Sequence, residues 1–427
     1  MSREMRHSGI EWIGEIPKEW NVMSIKHYCN SIYAGGTPQS NKSEYWDGDI
    51  PWIPSGSCKN CIIESAPKYI TQQGLENSST KLISSGTTVM AMTGATCSNV
   101  GFVTFDTCMN QSVVAYIENK EKTISKFLFY LLQGAQEDIL THKTGGAQSG
   151  INVDDCKNIV VPYVPLIEQQ KIANYLDKVC GEVDEMIALQ EQMIEELKAY
   201  KQSVITEAVT KGLDPNVPMK DSGIDWIGEV PEHWEVSRIG NLFKLRDEKN
   251  YKPMDEVQLL SLYTGIGVFP HGEQEERGNK AITVEGYKVV HKNDIVVNII
   301  LAWMGAIGVS NYNGVTSPAY DVYIPDLSKV VPHFFHYVFR TQGIAGECYK
   351  YGRGIMMMRW RTYSSEFKQI RVPFPSMEEQ QSIASYLDTK CAEIDALIAI
   401  KQSKIEELKE YKKSVIYEYV TGKKEVV

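Results

Sequence analysis

Cys58 and Cys61 enclose two residues, a spacing at which two thiolates reach one zinc ion. No second CxxC or histidine pair follows at zinc-ribbon distance, so packed or loop thiols are the simpler reading. His333 and His336 stand three apart in PHFFHYVFRTQG (332–343), a metal-pair spacing on a helix. The corresponding positions in the first half of the chain are Lys126 and Phe129, which favours a structural amphipathic helix. Asp214-Pro215-Asn216-Val217 starts like the Asn/Asp-Pro-Pro-aromatic motif of amino-methyltransferases, yet lacks the second proline and the aromatic that stacks on a flipped base. Pro325-Asp326-Leu327-Ser328-Lys329 starts like a nuclease PD motif, but no acid precedes the lysine by two residues. There is no GxxxxGK[ST] phosphate loop, and no Ser/His/Asp or Cys/His grouping stands out among the eight histidines. Catalysis by this chain alone is not expected.

Recognition chemistry is better represented. Between Arg340 and Arg371 lie Arg340, Lys350, Arg353, Arg359, Arg361, Lys368 and Arg371 against only Glu347 and Glu366. Arginines interleaved with Trp360 and Tyr363 suit phosphate clamping and bidentate guanine contacts. GGAQSGIN (145–152) offers glutamine and asparagine amides, which suit adenine edges, on a glycine-rich loop. The candidate DNA-contacting residues are Lys42, Tyr45, Thr93, Lys143, Gln148, Ser149 and Asn152 in the first half. In the second they are Tyr263, Asn298, Arg353, Arg359, Trp360 and Arg361. No metal ligand set is expected.

These residues sit within a duplicated chain. SGIEWIGEIPKEW (8–20) recurs as SGIDWIGEVPEHW (222–234), with Trp12, Trp20, Trp226 and Trp234 among the repeated positions. Residues 168–210 match 379–421 without a gap; both stretches are proline-free and rich in Ala, Leu, Glu and Lys, which predicts two long helices. The first carries a 4-3 apolar stripe through Ile172, Leu176, Val179, Val183, Met186, Gln190, Met193, Leu197, Tyr200 and Val204, the mark of a coiled-coil seam. In the second, Lys390, Lys401 and Lys404 fall on that stripe, and Cys391, Ile398 and Ile405 share its seam. The simplest closed arrangement packs the two helices antiparallel. The four tryptophans then read as anchors of each globular segment on a helix end, and as contacts for partner subunits.

The globular segments are rich in Gly, Thr, Ser, Asn, Tyr and Val, with turn clusters every eight to twelve residues, which predicts mostly β structure. Short helices are expected from Ser125 and Pro332, and strand, turn, strand over IVVNIILAWMGAIGV (295–309). The fold class is α+β, with two mostly-β domains joined by two long antiparallel coiled-coil helices. Its segments are 1–165, 166–212, 213–374 and 375–427. A net charge of −10 argues against nonspecific coating of nucleic acid, but not against a local reading surface. Nine cysteines without framework spacing, and no secretory leader, lead us to expect a reducing cytoplasm.

The doubled opener, the VPYVP and VPFPS leads into EQQxIAxYLD, and the helix ends EAVT and EYVT resemble the DNA-specificity (S) subunits of Type I restriction–modification systems. GGTPxxxxxxYWxGxIPWI in the first half and WMGAIGVSxYxGVxSPAY in the second extend the resemblance to essentially the whole chain. It implies two target-recognition domains, each reading one half of a bipartite, asymmetric DNA site, with the helices fixing the spacer. It also implies two modification (methyltransferase) subunits that bind S-adenosylmethionine, restriction (translocase/nuclease) subunits, and no cofactor on this chain. The alternatives are a stand-alone DNA methyltransferase-like enzyme and a coiled-coil protein-interaction scaffold.

Overall fold

The computed structural model describes residues 3–144, 149–264, 266–272, 283–354 and 360–426. The chain folds as two compact units, Met1–Glu191 with Gln402–Val427, and Gln192–Lys401. Each unit joins one β-rich segment to part of both long helices, α1 (Leu166–Lys211) and α2 (Met377–Val420). The segments read from sequence start new domains where the helices begin, whereas these units divide the helices themselves.

In the first unit β1 (Cys29–Ala34), β2 (Cys61–Ile63), β3 (Thr88–Ala91), β4 (Val100–Val103) and β5 (Val113–Glu118) form one sheet. Its order is β1-β5-β3-β4-β2. Both faces are covered, so the central strands are apolar throughout rather than alternating. Met90, Val114 and Tyr116 face a core with Phe127, Leu131, Ile172 and Leu176, while Val89, Ala91, Val113 and Ala115 face a second core with Ile53 and Met109. The second unit builds the same frame from β6 (Phe243–Leu245), β7 (Ile295–Asn298), β8 (Ile307–Val309) and β9 (Tyr320–Pro325), ordered β6-β9-β7-β8. Register makes the match explicit: Val113 lies opposite Ala91, and Tyr320 opposite Asn298. β7 and β8 are the strands expected within 295–309, and Gly305 closes their connection at φ +82°.

The helices run antiparallel within each unit. In the first, the Tyr175 and Tyr419 rings pack at a tilt of 38° with centroids 4.4 Å apart, and Asp184 meets Lys412. In the second, Lys201 meets Asp395, while Ile205 and Ala208 share a core with Leu387 and Cys391. The α1 seam differs from the expected stripe. Met186, Met193 and Tyr200 are exposed, whereas Cys180 and Ile194 are buried. The buried face follows Leu176, Cys180, Val183 and Ile194, the register that Cys391 and Ile405 mark in α2. Ile194 wins over Met193 because the two lie about 100° apart on a helix and only one can face the core. No described helix is long and apolar enough to cross a membrane.

Candidate nucleic-acid interface

β1 ends at Ala34, β3 ends at Ala91 and β5 begins at Val113, so the loops that follow or precede them share one end of the first sheet. Backbone bonds hold them side by side. Met92 N donates to Ser112 O (2.8 Å), Ile151 N to Met92 O (2.9 Å) and Gly94 N to Ser149 O (3.3 Å). Thr144 and Gly150 exchange two bonds of 2.9 and 3.0 Å, with Lys143 just before this pair and Ser149 beside it. Gly35 allows the GGTP loop to join this group, since a Cβ there would stand 2.0 Å from Met109 O. Past it, Lys42 lies 4.9 Å above the Tyr45 ring and Lys68 lies 5.6 Å above Trp46. Trp46, Lys68, Tyr69 and Thr37 line an open cleft of about 640 Å³.

Of the candidates in this unit, Lys42, Tyr45, Thr93, Lys143 and Ser149 therefore lie on loops of one sheet end. Tyr45 is buried and offers Lys42 its ring and hydroxyl rather than facing outward. Asn152 is exposed, and its Oδ1 accepts the Asp154 and Asp155 amides (2.8 and 2.9 Å) as the N-cap of a helix over Val153–Asn158. Gln148 lies outside the described residues.

The second unit repeats the arrangement with different side chains. Thr362 N donates to Ile299 O (2.9 Å), matching Ile151 to Met92, and Arg353 and Arg361 exchange two backbone bonds of 2.9 Å as Thr144 and Gly150 do. Arg361 is half-buried beside this closure. The Arg353 guanidinium pairs with the buried Glu366 carboxylate, and Lys350 stands 3.6 Å from Glu347. Arg340 is half-buried, and its Nε has no partner among the described residues. The basic run is thus partly neutralised by its own two glutamates. Trp360 donates Nε1 to Tyr349 O (3.0 Å) and stacks on the Tyr349 ring at 5.1 Å, a packing role. Asn298 is buried, and its Oδ1 accepts the Ile300 and Leu301 amides (3.0 and 3.3 Å). Tyr263 is half-buried, its hydroxyl enclosed without a partner among the described residues. Arg359 lies outside the described residues.

The repeated openers form the joints between each sheet and its helix end. Gly14 N bonds to Ile10 O and Gly228 N to Ile224 O, both 2.9 Å, so the two copies fold into the same loop. Trp20 is fully buried against Gly422 just past α2, and Trp234 packs on Gly212 just past α1. Trp12 donates Nε1 to Val160 O (3.1 Å), whereas Trp226 packs against Gly343. Sequence reasoning missed the glutamine of each EQQ triplet. Gln169 Oε1 accepts Thr123 Oγ1 and Ile124 N, and its Nε2 donates to Lys122 O and Val164 O. Gln380 does the same with Val331 N, Lys329 O and Pro375 O. The repetition of EQQ itself was the available signal. A third matched contact runs from Tyr130 to Asp177 (2.6 Å) and from Tyr337 to Asp388 (2.7 Å).

The residues weighed for catalysis do not assemble. His333 pairs with Asp388 (2.6 Å), and burial, together with Arg340 and His333, lowers His336 to about 3. Burial pushes the Cys58 thiol up to about 12. Asp326 is lowered to about 2 by hydrogen bonds from Ser328 and Lys329 in an exposed turn. Among the described residues no group of three His, Cys, Asp or Glu side chains is placed to hold a metal.

Residues 17–199 and 231–410 match the Type I restriction modification DNA specificity domain family. A putative type I restriction enzyme MjaX specificity subunit of Methanocaldococcus jannaschii is 28% identical over 438 residues, 96% of this chain and 95% of that one. The EcoR124I/EcoR124II specificity subunit of Escherichia coli is 30% identical over 177 residues, 40% of each chain. A chain solved in work on complex assembly and conformational transition of the type I R-M system has a TM-score of 0.67 at 17% identity, covering 95% of this chain and 98% of that one. The HsdS subunit of Thermoanaerobacter tengcongensis has a TM-score of 0.51 at 17% identity with the same coverage.

Proposed function

The chain belongs to the type I restriction–modification DNA specificity family, and from that premise we propose that it reads a bipartite, asymmetric DNA site with one half-site per unit. Its role is that of the sequence-specificity subunit of such a system, not of a stand-alone methyltransferase. One observation supports the two-half-site reading above others. Both units build the same four-strand order, and at the same sheet end they carry unlike loops: lysine, threonine and serine in one, arginine and tryptophan in the other. A shared frame with different loops presents two specificities on one scaffold.

The two long helices, each contributing to both units, set the number of unread base pairs between the half-sites. The chain itself is non-catalytic. S-adenosylmethionine binds to two modification subunits, restriction subunits complete the assembly, and the complex acts on double-stranded DNA in the cytoplasm. With a net charge of −10, this chain leaves part of the nonspecific phosphate attraction to those partners.

Footprinting of the complex with its modification subunits tests this reading. Two protected patches with an unprotected or weakly contacted centre are expected. A single continuous patch, or sequence-independent protection, would overturn it.

A further inference from the structure

The turn Asn110–Ser112 enters β5 at the reading end of the first unit. Asn110 Oδ1 accepts the Ser112 amide (3.1 Å), and the Asn110 amide donates to Ile53 O (3.0 Å), so the turn is held from both sides. Gln111 is left exposed at its tip. Its Oε1 accepts the Thr37 hydroxyl from the GGTP loop, and its Nε2 donates to none of the described residues. Ser112, the next residue, bonds to Met92 and thereby to the loop group that carries Lys143 and Ser149. The second unit has the same turn at Ser317-Pro318-Ala319, with Ser317 Oγ accepting the Ala319 amide (3.4 Å). There the tip is Pro318, which has no amide to offer.

We infer that Gln111 reads an adenine in the half-site bound by the first unit, with Thr37 as its positioning residue. The inference rests on the proposed DNA-reading function. Adenine presents an N6–H donor and an N7 acceptor in the major groove, and one carboxamide satisfies both. Gln111 keeps that capacity, because its Oε1 has a second lone pair beyond the one Thr37 uses and its Nε2 is unspent among the described residues. The Thr37 hydroxyl orients the amide before DNA arrives, which removes part of the ordering cost of a free glutamine. Pro318 at the equivalent tip cannot make this pair, so the two half-sites differ at the corresponding base.

The test is selection of bound sequences from a randomised duplex pool by the full complex with its modification subunits. The wild type is expected to select an adenine that Gln111→Ala releases, with discrimination falling roughly 5- to 150-fold. Thr37→Val should weaken the same position and no other, and the other half-site should stay unchanged. In the wild-type complex, 7-deazaadenine at that position should bind more weakly than adenine, because the N7 acceptor for Nε2 is gone while the N6 bond remains. Should Gln111→Ala disturb both half-sites through misfolding, this wild-type measurement decides alone. The inference is overturned if Gln111→Ala keeps every base preference, if the released base is not adenine, or if 7-deazaadenine binds like adenine. A wild-type complex that selects no sequence would instead sink the DNA-reading function.

Discussion

Lys412 on α2 places its ammonium 2.7 Å from both carboxylate oxygens of Asp184 on α1. The repeat makes this pair one of two. Lys201 and Asp395 hold the corresponding positions with the helices exchanged, and they meet at the same 2.7 Å. The aspartates are more than half exposed, so each pair is worth about 0.2–1 kcal/mol and fixes the register of helices that apolar packing already joins. Lys412→Glu should lower stability by about that amount, doubled at most by the new repulsion. The charge swap Lys412→Asp with Asp184→Lys should recover most of it, as read by a double-mutant cycle in urea.

Gln169 and Gln380 carry heavier consequences. Each is fully buried and satisfies backbone groups at the start of a long helix. Gln380→Ala leaves Val331 N, Lys329 O and Pro375 O without partners, at about 1–3 kcal/mol for each group that water does not reach. Gln380→Glu should be nearly as damaging, since a carboxylate cannot donate. Thermal unfolding of the two variants compares them; a loss near zero would refute the clamp.

Trp20 and Trp234 predict a size effect at the joints. Trp20→Ala should cost about 3–5 kcal/mol, because the indole is fully enclosed beside Gly422. Gly422 itself sits at φ +72° with Pro17 against it, so Gly422→Ala should also destabilise. Trp12→Ala, at a half-buried site, should cost less than Trp20→Ala in the same denaturant titration.

Glu379 gives the joint a dependence on acid. Burial alone would raise its carboxyl, but hydrogen bonds from Trp234, His233 and Ser376 prevail and hold it at about 2. A folded value depressed below the ordinary 4.5 means that its stabilisation is present above pH 4.5 and is lost as pH falls toward 2. Trp234→Phe removes the 2.8 Å indole bond and should narrow that window from below. Acid titration of wild type and variant, followed by near-ultraviolet circular dichroism, should show the variant unfolding at the higher pH.

The proposed spacer role predicts a separable change. One heptad inserted into both helices keeps each seam in phase and should lengthen the tolerated spacer without altering either half-site. Replacing residues 21 to 150 by another recognition segment should change one half-site alone. Mapping methylated sites in cells carrying each variant checks both outcomes.

The sequence by itself determined the duplication, the two helices to within a few residues, and the β-rich segments with unlike loops. These are local or periodic properties: a proline-free run of helix formers, an apolar repeat, a glycine-bearing opener written twice. Even the seam was legible in α2, where lysines mark the wrong face and Cys391 and Ile405 the right one. The tertiary structure alone decided which polar side chains remain available to a ligand. Asn152, Asn298 and Trp360 look like base readers as letters, and in the fold the Oδ1 atoms of the two asparagines accept backbone amides while Trp360 Nε1 donates to a backbone carbonyl. Gln111 drew no attention as a letter, and a turn pinned from both sides leaves it exposed with a donor unspent among the described residues. The physical reason is that a hydrogen-bonding group is free or committed according to neighbours distant in sequence, and only folding brings those neighbours to it.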